Sequence, residues 1–181
     1  MMRNKGTFIV WTLVLSGILG APSAHSGGRS NPNDAESLLA KQVLNKATAF
    51  LQAKQSADGA WRSETYGLLK SGQSLTPFVL FALTDSLTEN LQPNEESIQK
   101  AISFLRAKSD PNGVHGRADP DFLDYPNYST AYALRCFLRF GNADDQARIG
   151  KMTSYLEAQQ FSEKAGFEPD SPAYGGWGFG I

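Results

Sequence analysis

Apolar residues recur along this chain in two alternating patterns. From Leu39 through Val43, Leu44, Ala47, Phe50 and Leu51 they stand three and four residues apart, on one side of a helix. Ile98, Ala101, Ile102, Phe104 and Leu105 draw the same stripe again. Between them lies a segment that is apolar nearly all round, Phe78-Val79-Leu80-Phe81-Ala82-Leu83, which suits a helix covered on several sides. The pattern predicts an all-α protein with amphipathic helices outside and greasier helices inside.

The alternation is an internal repeat. The run from Lys46 to Lys54, KATAFLQAK, returns from Lys100 to Lys108 as KAISFLRAK, and again from Lys151 to Gln159 as KMTSYLEAQ. A glycine-bearing turn follows each copy: Ala57-Asp58-Gly59-Ala60-Trp61, then Pro111-Asn112-Gly113-Val114-His115, then a longer loop ending in Gly175-Gly176-Trp177-Gly178. A second helix is expected after the first two turns, and Thr76 and Thr130 hold the same place in it. Ser74 or Thr76 is expected to cap one of these inner helices, and Asn127 or Ser129 the other. Gly141 is expected to end the second in a left-handed conformation. Each pair shelters its neighbour, because no single pair can bury its own apolar face. Phe50 and Phe104 should then occupy equivalent environments.

The first turn carries the most specific pattern. Lys46-Ala47, Phe50-Leu51, Gln55 and Gly59-Ala60-Trp61 together resemble the QW motif of squalene and oxidosqualene cyclases, which marks the wider prenyltransferase and squalene-cyclase repeat family. A glutamine there can join the end of one helix to amide groups of the next, glycine permits the tight turn, and tryptophan shields the amide. The second copy has Ser109 for the glutamine and His115 for the tryptophan; the third keeps Gln160 and Trp177 across a long loop. The resemblance runs from about residue 35 to Ile181 and implies tandem helix pairs of the α/α-toroid type. About two and a half units are present, so an incomplete barrel or a fragment is expected. The structural QW-type residues are thus Gln55, Gly59, Trp61, Gln160 and Trp177.

Composition changes this picture little beyond the start of the chain. Of 181 residues, 41% are hydrophobic, and the net charge of −1 offers no basic face for nucleic acid. The single Cys136 excludes a disulfide framework and reads as a buried thiol. Arg3 and Lys5 precede an apolar run over residues 7–19, and Ala24 and Ser26 follow at a cleavage-like spacing. Residues 1–26 therefore read as a secretory signal peptide, an uncleaved membrane anchor being the alternative, with 27–34 a flexible lead-in. Residues 35–181 form the repeat domain. The mature chain is expected to be exported, periplasmic or extracellular, without a transmembrane span.

Chemistry is sparse. The resemblance implies either the aspartate-rich D-x-D-D acid of cyclases or the aspartate, cysteine and histidine zinc site of prenyltransferases. The nearest string to the first, Asn142-Ala143-Asp144-Asp145, has asparagine where the first aspartate belongs and reads as a helix cap. His115 lies near Asp119, Asp121 and Asp124, but a solvated loop is the expectation there. The acidic, aromatic run from Asp119 to Tyr125 and the glycine-rich run from Tyr174 to Gly180 read as structural loops. Asn127-Tyr128-Ser129 fits a glycosylation sequon. No residue is named as catalytic, and no cofactor or metal ligand is expected. The favoured reading is a non-catalytic scaffold or binding module, with an unknown protein partner or self-association covering the open repeat end. The alternative is the N-terminal part of a terpene cyclase or prenyltransferase-like enzyme whose catalytic residues lie beyond residue 181.

Overall fold

Helices carry the fold, as the periodicity requires. The structure is a computed structural model that describes residues 32–85, 93–117 and 125–180. The expected signal peptide, most of the lead-in, and Asp119, Asp121 and Asp124 lie outside the described residues. Five α-helices run in chain order: α1 (Pro32–Ala53), α2 (Leu75–Asp85), α3 (Glu95–Lys108), α4 (Pro126–Phe140) and α5 (Gln146–Ala158). The described residues contain no strand beyond an isolated bridge between Gln160 and Trp177. Helix α1 starts at Pro32, inside the segment expected as lead-in; proline suits a first turn whose N–H groups have no helical partner.

Helices α2 and α4 pack side by side, α3 lies against both, and α5 lies against α4. The core sits where these layers meet, around Leu80, Leu83, Ile102, Leu105, Ala133 and Phe137. Full burial of each large side chain stabilises the fold by about 1.5–3 kcal/mol. Helix α3 is the best formed of the outer helices. The Asn94 side chain accepts from the Ser97 N–H at 2.8 Å, Glu95 and Glu96 occupy the positive end, and Arg106 and Lys108 the negative end.

The sequence repeat is also a repeat of contacts. Trp61 N donates to Thr76 Oγ1 at 3.0 Å, and His115 N donates to Thr130 Oγ1 at 3.0 Å. At the start of α2, Gln73 Oε1 accepts from Gly116 N at 3.0 Å; at the matching place in α4, Asn127 Nδ2 donates to Gly178 O at 3.0 Å. The Arg62 guanidinium lies 5.3 Å from the Phe104 ring, and that of Arg117 lies 5.2 Å from the Tyr155 ring. Each inner helix thus grips the turn of the following unit, and each turn sends an arginine onto the aromatic of the next outer helix.

Four local expectations change. The stripe of α1 is not covered by the described residues: Val43 is 59% and Phe50 60% exposed, whereas Phe104 is 5% exposed. Phe50 and Phe104 are therefore not in equivalent environments, because α3 lies against α2 and α4 while α1 has no comparable helix neighbour among the described residues. Gly141 is extended (φ −71°) rather than left-handed; a Cβ there would collide with the Phe137 carbonyl, and that approach is what requires glycine. The cap of the second inner helix also differs. Helix α4 is entered through Tyr125, the one described non-glycine residue with positive φ (48°), with no side-chain cap. Asn127 and Ser129 instead bond to neighbouring units, to Gly178 O and to Ser74, while Thr130 accepts from His115 N of its own unit. Lastly, Asn127 is 5% exposed with its amide engaged, so the sequon is not presented for modification.

Candidate binding surface

Gln55, Gly59 and Trp61 come together in the first turn, and Gln160, Gly175 and Trp177 in the third. Gln55 Nε2 donates to Gly59 O at 3.0 Å and to Ser97 O, in the first turn of α3, at 2.9 Å. Ser97 Oγ donates back to Gln55 Oε1. The orphan carbonyl at the end of α1 goes to the tryptophan instead: Trp61 Nε1 donates to Leu51 O at 2.6 Å. Gly59 (φ +90°) lies so close to α3 that a Cβ would overlap the Lys100 carbonyl. In the third unit Gln160 Nε2 donates to Gly175 O at 2.9 Å, and Trp177 Nε1 to Leu156 O at 2.7 Å.

The degenerate second turn solves the same problem with other residues. Ser109 stands for Gln55, and Arg148 stands where Ser97 does in the following outer helix. The long and short partners have changed sides, and Arg148 Nε donates to Ser109 Oγ at 3.2 Å. His115 fills the tryptophan place, fully buried, with Nε2 2.9 Å from Ser109 Oγ and Nδ1 without a partner. The expected solvated loop is therefore wrong for His115, which packs into the core because it occupies the tryptophan position. The Ser109–His115 pair has the composition of a nucleophile and base. Burial, helped by the nearby Arg148 charge, lowers the imidazole to about 3, so it is too weak a base to activate a serine near neutral pH.

The string Asn142-Ala143-Asp144-Asp145 forms a capping box on a 3₁₀ turn, as expected of a helix start. Asp145 does more than cap. Its side chain is 1% exposed and accepts from Arg106 Nη2 at 2.8 Å and Arg148 Nη1 at 2.9 Å, tying α3 to α5. The Arg106 hydrogen bonds hold its carboxyl below the usual range. Sequence reasoning missed this pair; the signal was an arginine in the last turn of one outer helix facing the acidic start of the next. Cys136 is buried as expected, its thiol pushed up to about 12 by burial, and is unreactive. No three of His, Cys, Asp and Glu converge among the described residues.

Two apolar clefts lie beside α2 and α4. Phe78 and Phe81 of α2 share one face, and Tyr128 and Tyr132 of α4 share the face beside it. Phe78 and Tyr132 meet edge-on at 5.2 Å, Tyr128 and Tyr132 at 4.8 Å, and Phe81 and Tyr132 at 5.6 Å. The Arg135 guanidinium stacks 3.8 Å from the Phe81 ring centre. The chain end returns over this surface: Asn127 N donates to Phe179 O at 3.0 Å, and the Phe179 ring lies 5.3 Å from Tyr125. Phe179, 72% exposed, separates two apolar clefts. One of about 310 Å³ lies between Leu75, Phe78, Tyr125 and Tyr128; one of about 500 Å³ lies between Tyr128, Ala131, Leu156 and Trp177. Neither follows from the sequence, whose glycine-rich run from Tyr174 to Gly180 reads as a structural loop.

No protein-family model, curated protein or solved structure matches the chain. No described helix is long and apolar enough to cross a membrane.

Proposed function

We propose that this chain is an exported helix-pair repeat protein of the α/α-toroid kind, resembling the prenyltransferase and squalene-cyclase family, that serves as a non-catalytic binding module. Its ligand is an apolar molecule taken up by the paired clefts beside Phe179. The observation that carries the reading is the exposed aromatic surface of α2 and α4, where Phe78 and Tyr128 are each about two-fifths exposed (39% and 40%) and line a cleft with hardly any charge. Thr76 and Thr130 each accept from the turn of their own unit, and Gln73 and Asn127 each bond the turn of the following one, which supports the tandem-pair architecture. The strong downward shift of His115 and the inert thiol of Cys136 favour binding over chemistry.

The test uses Trp177, which borders the larger cleft and is 50% exposed, whereas Trp61 is buried. Titration of the purified chain with farnesol, a linear apolar alcohol, should give a saturable blue shift of tryptophan emission. Trp177→Phe should remove the shift, and Tyr128→Ala should weaken binding by roughly tenfold without lowering the melting temperature by much. A non-saturable response, or one that survives both substitutions, would refute the reading.

A further inference from the structure

The junction between units is built twice inside this molecule, and each of its two halves recurs once more uncovered by the described residues. Where unit one meets α3, Gly59 lies against Lys100 and Ala101, and Phe104 lies under Arg62. Where unit two meets α5, Gly113 (φ +80°) lies 3.0 Å from the Lys151 side chain, measured from where its own Cβ would stand, and Met152 is fully buried. The turn of unit three keeps the same internal construction. Gly175 has φ +78°, Gln160 bonds its carbonyl as Gln55 bonds that of Gly59, and the Trp177 indole bonds Leu156 O as that of Trp61 bonds Leu51 O. Yet nothing lies within 4 Å of the Cβ position of Gly175, and Trp177 is 50% exposed against 2% for Trp61. At the other end, α1 carries Lys46, Ala47 and Phe50 in the register of Lys100, Ala101 and Phe104, and these face solvent.

We infer that a second copy of the chain docks head-to-tail, seating its α1 stripe on the turn of unit three. Ala47 of one copy packs on Gly175 of the other, and Phe50 on the Trp177 side of that turn. The occupant is argued from continuity with the internal junction: the face that fits against such a glycine turn is an outer helix with lysine, alanine and an aromatic in this spacing, and α1 displays that face uncovered. The contact is heterologous, so each copy retains one free face of each kind and assembly continues beyond a dimer unless the rotation closes a ring.

The two faces can be blocked separately. Phe50→Glu places a charge on the exposed stripe of a helix, where it leaves the fold intact. Gly175→Asn is tolerated at positive φ and puts a side chain where the neighbouring helix must come. Light scattering coupled to size exclusion should show the unaltered mature chain growing in mass with concentration past the dimer. Each variant alone should stay monomeric, its self-association weakened by roughly thirtyfold or more. A one-to-one mixture should form a dimer and nothing larger, because one open face of each kind remains; that dimer also proves both variants folded. Three outcomes overturn the inference: a monomer at all concentrations, which leaves the Gly175 turn for a further helix pair; Gly175→Asn assembling while Phe50→Glu does not, which means α1 pairs with α1; or a mixture that fails to associate.

Discussion

At the scale of single residues, what matters at a repeated position is which side of it is occupied. Gly59 and Gly175 have nearly the same backbone, φ +90° and +78°, and the same glutamine bonded to their carbonyl. Only Gly59 has a helix backbone against it. Gly175→Ala should therefore cost about 1 kcal/mol, the penalty of a left-handed alanine alone. Gly59→Ala should cost about 3 kcal/mol or more, since α3 must also move away. Urea unfolding of the two variants below the concentration of any self-association measures the difference, and equal costs would contradict the account. The glycines, Gln55 and Trp61 were legible in the sequence because each side chain or lack of one has a local purpose. The partner exchange at Ser109 and Arg148 was not legible, since it shows only when two residues from successive units are seen to bond. His115 was misjudged for a related reason: its place in the repeat was legible, but a polar ring at the tryptophan position reads as solvated until its partner Ser109 and its burial are seen.

Elements were read more securely than their environments. Helical spacing predicted the outer helices α1, α3 and α5, and an apolar run predicted α2, because these patterns depend on neighbours within one helix. Burial depends on what lies across from the helix, and here the same stripe has two fates. Ala101, Ile102 and Leu105 of α3 are fully covered, while the equivalent stretch of α1 is exposed apart from Thr48 and a half-buried Leu51. Helix α1 is fastened near its end, through Trp61 Nε1 to Leu51 O. Hydrogen exchange in dilute solution should therefore find the amides of residues 39–46 opening far more readily than those of 101–105. A protection difference of roughly a hundredfold or more is expected for a helix held at one end. Equal protection of α1 and α3 in the monomer would mean that something covers α1 other than what these contacts describe.

Over the whole molecule, two buried groups that join successive units make stability depend on acid. Full burial lowers His115 from its ordinary value of 6.5 to about 3. Between those values the unfolded chain takes up a proton that the folded chain refuses, so stability falls as pH drops from about 6.5. Asp145 acts later. Its carboxyl is held below the usual range, first by hydrogen bonds from Arg106, so its contribution is present above an unfolded value of about 3.9 and is lost as pH falls through its lower folded value. The folded chain should accordingly lose stability in two stages, the first at roughly 1 kcal/mol per pH unit. His115→Phe removes the group responsible for the first stage, fits beside Phe137, and leaves Ser109 bonded to Leu105 O and to Arg148. Its urea midpoint should stay level from pH 6.5 to about 4 and fall only below that. Asp145→Asn should do the opposite: a general loss of roughly 3 kcal/mol at neutral pH, because Arg106 and Arg148 lose their anion, with the first stage retained and the second reduced to what exposed carboxylates such as Asp58 contribute. Parallel pH curves for the unaltered chain and His115→Phe would mean that His115 is not held neutral by the fold. In that case the packing of its unit against α4 and α5 would have to differ from the arrangement that its burial and its bond to Ser109 describe.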